Sequence, residues 1–168
     1  IKSTFADRRI QANIAGFYYE YTDLQVGKVI NNLIGLENAA TATIYGAELE
    51  IHARPVDSLR ADLSFSYLNA KFDEYISADN FRPAGDGVTV DPVTGAPAFN
   101  LAGNTIPQAP EFTIFAGAEY LMEVPFGTFS LRGEVLWTDR VYFSAFNRTN
   151  VSQPSRTILN AFLNFADD

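Results

Sequence analysis

Residues 39–54 read AATATIYGAELEIHAR. From Thr41 the odd positions are Thr41, Thr43, Tyr45, Ala47, Leu49, Ile51 and Ala53. The even positions are Ala42, Ile44, Gly46, Glu48, Glu50, His52 and Arg54. Successive side chains of a strand point to opposite faces, so this period of two predicts a strand with unlike faces. The even face ends in Glu48, Glu50, His52 and Arg54, and the odd face carries Tyr45, Leu49 and Ile51.

The same alternation recurs downstream. Leu59, Ala61, Leu63, Phe65 and Tyr67 alternate with Arg60, Asp62, Ser64 and Ser66 in a strand expected over 59–75. After Pro110, Phe112, Ile114, Ala116, Ala118, Tyr120 and Met122 share a face. From Thr128 onward, Phe129, Leu131, Gly133, Val135 and Trp137 oppose Ser130, Arg132, Glu134, Thr138 and Arg140, with Leu136 an exception on the polar side. Two further strands are expected, a long aromatic one from Ile10 to about Val26 and a last one over Thr157–Phe165. Ile1–Phe5 reads as the tail of an earlier strand, followed by a turn at Ala6-Asp7-Arg8.

Six main strands joined as consecutive hairpins make an all-β, antiparallel up-and-down meander. Its connections alternate in length. Segments 27–40, 76–109 and 147–156 are long and rich in Gly, Pro or Asn, whereas 55–58 and 125–127 are tight turns marked by Pro55, Pro125 and Gly127. In a meander every second connection lies at the same end, so one end carries the turns and the other the long loops. Outer-membrane barrels have this asymmetry, with short periplasmic turns and long extracellular loops. Strand length agrees. Leu59–Tyr75 is 17 residues, about 56 Å at roughly 3.3 Å per residue, whereas a tilted strand needs only about 9–11 residues to cross a bilayer. Tyr45, Tyr67, Tyr75, Tyr142 and Phe143 are placed toward the long-loop end, and Tyr120, Phe126 and Phe129 toward the turn end. Two aromatic girdles are expected where a barrel meets the two interfaces. The expected architecture is thus a partial transmembrane β-barrel.

Composition narrows the function. The chain has 168 residues, eight Tyr, 14 Phe and a formal net charge of −8. The acidic balance argues against nucleic acid as a partner. No apolar run reaches the length of a transmembrane helix. With no cysteine there is neither a disulfide framework nor a thiolate metal site. Ile1 opens a polar stretch without Met or an apolar leader, as expected of a processed chain or a piece of a longer one.

Four ordered motifs carry a family resemblance. They are Asn13-Ile14-Ala15-Gly16-Phe17-Tyr18 followed by Tyr21-Thr22-Asp23-Leu24-Gln25-Val26; Asn38-Ala39-Ala40 followed by Tyr45-Gly46-Ala47-Glu48-Leu49-Glu50 and Ala53-Arg54-Pro55; Leu101-Ala102-Gly103-Asn104 with Ile106-Pro107-Gln108-Ala109-Pro110; and Leu159-Asn160-Ala161. In this order, over nearly the whole chain, they resemble the C-terminal part of the β-barrel of a TonB-dependent outer-membrane receptor. The resemblance implies that residues 1–168 are an incomplete barrel segment whose plug domain, TonB-binding segment and remaining strands lie elsewhere in a parent chain. It implies energy-coupled uptake, across the outer membrane of a Gram-negative bacterium, of a scarce bulky nutrient such as a siderophore–iron complex, cobalamin or an oligosaccharide. The implied partners are outer-membrane lipid, the plug and remaining strands, the TonB complex and the ligand.

Candidate chemistry is sparse. Glu48, Glu50 and His52 recur at every second residue on one face, a donor set a metal could use, but a solvated lumen wall explains them more simply. Together with Arg60, Asp62, Arg132, Glu134 and Arg140 they are the expected lumen-lining residues. His52 is the sole histidine, which leaves little room for a histidine-based catalytic site. Asp86 and Asp91 lie in an acidic, turn-rich loop without EF-hand spacing. Asn147-Arg148-Thr149 and Asn150-Val151-Ser152 match glycosylation acceptors by chance in a bacterial setting. No catalytic residues, cofactor or enzymatic activity are expected. The rival reading is a soluble β-structured binding or adhesion module with the long loops as its binding surface. The two differ in what covers the Tyr45/Leu49/Ile51 and Phe129/Leu131/Trp137 faces, lipid in one and a second protein layer in the other.

Overall fold

In the computed structural model, residues 1–30, 33–79, 88–92, 95 and 97–167 are described. The strands are β1 (Lys2–Phe5), β2 (Ile10–Ile30), β3 (Leu33–Val56), β4 (Leu59–Glu74), β5 (Ile76–Ser77), β6 (Val88–Val90), β7 (Pro97–Asn100), β8 (Phe112–Val124), β9 (Gly127–Thr138), β10 (Val141–Tyr142), β11 (Ser152–Gln153) and β12 (Arg156–Ala166). Seven of them form one antiparallel sheet in the order β1-β2-β3-β4-β8-β9-β12. This is the expected meander, with β1 in the place assigned to the tail of an earlier strand. Among the described residues no helix is long and apolar enough to cross a membrane, which says nothing about crossing by strands.

Register turns the alternating sequence into two continuous surfaces, because directly paired residues share a face. One row runs Leu49, Phe65, Ile114, Trp137 and Thr157, and the next Ile51, Leu63, Ala116, Val135 and Leu159. The opposite face carries His52, Asp62, Gly117, Glu134 and Asn160 in one row. Leu136 is no isolated exception there. It pairs with Phe115 and Ile158, a short apolar row next to the charged row of that face.

The apolar face carries large exposed side chains, with Leu131 58%, Leu159 75% and Leu163 70% exposed. No second protein layer covers it among the described residues. Aromatic rings bound it at both ends. Toward the long loops Tyr18, Tyr45, Tyr67 and Phe112 form a chain of ring contacts across β2, β3, β4 and β8. At the turn end Phe165 packs on Phe126 and Phe129. Tyr67 pairs with Phe112 and Leu59 with Tyr120, so the two belts lie about 26 Å apart along the strands at roughly 3.3 Å per residue.

Four expectations are corrected. Segment 27–40 is not a loop. β2 continues to Ile30 and β3 begins at Leu33, with Gly27 opposite Leu36 and Ile30 opposite Leu33. Gly27, Gly35 and Asn38, which suggested a loop, sit in a hairpin extension reached through a register shift next to Asp23, whose φ is 56°, whereas Asn31 and Asn32 lie outside the described residues. Pro55 does not end the ladder. Pairing shifts between Ala53 and Val56 and resumes at Val56–Leu59, and such an irregularity is where a strand accommodates a proline. Segment 76–109 is partly built, with β5, β7 and β6 forming a three-stranded sheet. Tyr75 is no girdle residue. It is 3% exposed and packs on Phe72 with ring centroids 5.0 Å apart.

The buried core therefore lies at the long-loop end. Ala40, Ala42, Phe72, Tyr75 and Leu101 form it, with Leu24, Ile106, Ala145 and Phe146 packed against them. Ala42 pairs with Phe72 on the same face as Glu48 and Asp62, so the loops fold over the upper end of the charged face.

Candidate functional site: the charged face and its mouth

Four strands contribute the charges at the lower part of the polar face. His52 comes from β3, Asp62 and Arg60 from β4, Glu119 from β8, and Arg132 and Glu134 from β9. His52 Nδ1 lies 2.9 Å from Asp62 Oδ1, and because the carboxylate accepts, the ring nitrogen donates. The Arg132 guanidinium donates to Asp62 Oδ2 at 3.0 Å and, through Nε, to Glu134 Oε1 at 2.7 Å. Arg60 donates to Glu119 at 3.3 Å.

Asp62 and Arg132 belong to strands separated by β8, and their contact depends on one glycine. Gly117 lies between Asp62 and Glu134 in register. A Cβ at Gly117 would stand 2.9 Å from the Arg132 guanidinium. The missing side chain is thus the passage through which Arg132 reaches β4. The charges of this cluster are paired with opposite signs across neighbouring strands, a surface suited to water and to polar protein partners.

The expected lumen residues do not form one cluster. His52, Asp62, Arg132 and Glu134 are linked, and Arg60 forms a second pair with Glu119. Glu50 accepts from Asn13 Nδ2 at 3.3 Å, away from His52. Glu48 pairs with Ser66 on the same face. Arg140 lies in the short link between β9 and β10, where it donates to Ser152 Oγ at 2.9 Å. The alternation of Glu48, Glu50 and His52 indicated a shared face, and among the described residues no group of three His, Asp or Glu residues could hold a metal ion. Glu119 was missed, although its odd position opposite the apolar face of β8 was a usable signal.

At the mouth, segment 101–106 takes the place of β8 alongside the upper end of β4. Ile106 N donates to Ala70 O, Phe72 N to Asn104 O, and Leu101 N to Tyr75 O. Asn147 then clasps this segment to the loop after β9. Its side chain accepts from Thr105 N at 2.6 Å and donates to Thr105 O at 2.8 Å, copying a backbone ladder. Asn104 donates to Ala145 O at 2.9 Å. Asn147 has φ 48°, a conformation asparagine tolerates better than most residues. Arg148 next to it forms an ion pair with the buried Asp79. The expected polar loop 147–156 is therefore ordered, with a 3₁₀ turn at Thr149–Val151 and β11 paired to β10.

Comparison with known proteins agrees with this geometry. The family model described as "TonB dependent receptor-like, beta-barrel" matches residues 1–168. Comparison of the sequence with curated proteins gives no match. Among solved structures, the chain is similar to the ferric yersiniabactin uptake receptor FyuA from Yersinia pestis, with 19% identity and a TM-score of 0.70 over 98% of this chain and 21% of that one. It is also similar to the siderophore receptor PiuA from Acinetobacter baumannii, with 17% identity and a TM-score of 0.68 over 98% of this chain and 21% of that one. The ferric preacinetobactin receptor BauA from Acinetobacter baumannii gives 19% identity and a TM-score of 0.65 over 96% of this chain and 21% of that one. At these identities the likeness concerns the fold, and the chain spans about a fifth of the length of those receptors.

Proposed function

Because the chain belongs to the TonB-dependent receptor-like β-barrel family, we propose that its parent protein takes up a scarce, bulky nutrient across the outer membrane. A siderophore–iron complex, cobalamin and an oligosaccharide are the candidate cargoes. Siderophore–iron is favoured because FyuA is a ferric yersiniabactin uptake receptor, PiuA a siderophore receptor and BauA a ferric preacinetobactin receptor. In this reading the 168 residues are barrel wall and extracellular rim and carry no catalytic role. Glu48, Glu50, His52, Arg60, Asp62, Arg132 and Glu134 face water and the plug inside the lumen, Arg140 stands near the mouth, and the TonB complex engages the parent chain elsewhere.

One observation carries the reading. The same strands present an apolar face bounded by two aromatic belts and, on the other side, a cluster of paired charges. Hydrocarbon on one side and a wet lumen on the other is the environment that matches both.

The experiment expresses the full-length parent protein in a Gram-negative host and follows labelled ferric siderophores, cobalamin and maltooligosaccharides into cells. The expected result is recovery of the protein in the outer membrane and accumulation of one cargo that stops when a protonophore collapses the energy supply. Accumulation of none, or leakage that ignores the protonophore, would overturn the proposal.

A further inference from the structure

At the mouth, the inward-folded loops leave a cavity of about 570 Å³ against the wall. Leu24, Phe72, Tyr75, Ile106 and Phe146 line it, and Val151 stands at its rim. Its only charged lining residues among those described are Asp79 and Arg148, which are paired with each other. The Arg148 side chain also lies over the Phe146 ring, 5.4 Å from its centroid.

We propose that this cavity is a preformed subsite for an uncharged ring, aromatic or alicyclic, carried by the parent receptor's cargo. The proposal rests on the uptake reading for the identity of the cargo, and on the cavity alone for its chemistry. The volume falls in the range of small-molecule sites, which are mostly apolar with a few placed polar groups. Four aromatic side chains, Phe72, Tyr75, Phe143 and Phe146, offer ring edges and faces to a flat guest. The guest is uncharged because the site's own charges are already matched. An anion would have to draw Arg148 away from Asp79, whose side chain is 3% exposed, and so leave a buried carboxylate unpaired. A cation would do the converse to Arg148. The cavity is preformed because its walls are tied together. The Asn147 clasp joins the two loops, and segment 101–106 is paired to β4.

Disulfide tethering tests this in the full-length parent receptor carrying Val151→Cys. Val151 is 37% exposed and this chain has no cysteine of its own. The receptor is equilibrated with benzyl, carboxybenzyl and aminomethylbenzyl disulfides under a fixed excess of 2-mercaptoethanol. Thiol–disulfide exchange converts the cysteine thiol and one probe into a mixed disulfide plus free probe thiol, and mass spectrometry counts the products. Val56→Cys, at the exposed turn end, measures intrinsic probe reactivity. The expected result is benzyl capture at position 151 exceeding both charged probes by about tenfold, the equivalent of one decade in binding, with no such preference at position 56. Ala145→Trp, which fills the cavity, should abolish the preference; if that variant does not assemble, Ser144→Trp serves from the rim. Equal capture of the three probes overturns the ring subsite, as does a preference that survives filling. Tethering does not require transport. Loss of uptake with intact tethering would sink the uptake reading and leave the subsite standing.

Discussion

Leu63 and Ser64 are neighbours in sequence and belong to opposite faces. Leu63 pairs with Ile51 and Ala116 in the apolar row, and Ser64 with Glu50 and Phe115. Arginine at Leu63 should destabilise the parent barrel by about 2–4 kcal/mol if the position lies near the bilayer midplane, since the charge meets hydrocarbon. Arginine at Ser64 should cost little if that face lines a water-filled lumen. Denaturant unfolding in liposomes measures both, and equal costs would sink the membrane assignment. Gly117 makes a second single-residue test. Gly117→Val places carbon where the Arg132 guanidinium passes and should break its contact with Asp62. Hydrogen bonds to charged groups contribute about 1.5–3 kcal/mol, and the low end applies because both side chains keep about a quarter of their exposure. Arg132→Met in the Gly117→Val background should add less than it does alone. Fully additive costs would mean that the two residues do not act through one contact.

At the scale of the element, β4 changes partner along its length. It pairs with β8 from Leu59 to Tyr67 and with segment 101–106 above that. The loop is held there by the side chain of Asn147. Asn147→Ala removes its hydrogen bonds to Thr105 and also puts a Cβ-bearing residue without asparagine's local hydrogen bonding at φ 48°. Asn147→Gly removes the bonds alone. The alanine variant should therefore be the less stable by about 1 kcal/mol, the lower end of the left-handed penalty for an ordinary residue. Identical stabilities would mean that the backbone conformation at 147 carries no strain. Proteolysis reads the same clasp. With protease added to intact cells carrying the parent protein, cleavage should fall within 76–109 before it falls at 55–58 or 125–127, as expected of outward-facing loops. It should spare 101–106 unless Asn147 is substituted. Preferential cutting at the tight turns would reverse the orientation.

On the scale of the whole molecule, the sheet has open edges. Among the described residues β12 ends the strand order and has a neighbour only on the β9 side, and at the other end β1 covers four residues of β2. In hydrocarbon each unpaired backbone group costs several kcal/mol, so an open sheet does not span a bilayer by itself. In water, the apolar face and the free edge invite association with other chains. Expressed alone, the 168 residues should aggregate or require detergent, and should give no uptake in vesicles. Sedimentation without detergent checks this, and a soluble monomer that unfolds cooperatively would contradict the barrel-segment reading.

Several of these features were legible in the residues because they are local. Alternation assigned Leu49, Leu63, Leu131 and Trp137 to one face and Glu48, Asp62 and Arg132 to the other. Pro55, Pro125 and Gly127 marked the turns, and four ordered motifs pointed to the family. What the residues did not reveal depends on partners distant in the chain. The reach of Arg132 to Asp62 exists only when β9, β8 and β4 are in register and Gly117 falls between them. Tyr75 looked like a girdle aromatic, and it is buried because segment 101–106 folds back over β4. Gly27 and Asn38 carry loop-like composition, yet the pairing of β2 with β3 continues past the register shift and overrides it. Period and turn chemistry are properties of neighbouring residues; register, loop docking and cavity shape are set by which strands meet, and only the tertiary structure decides that.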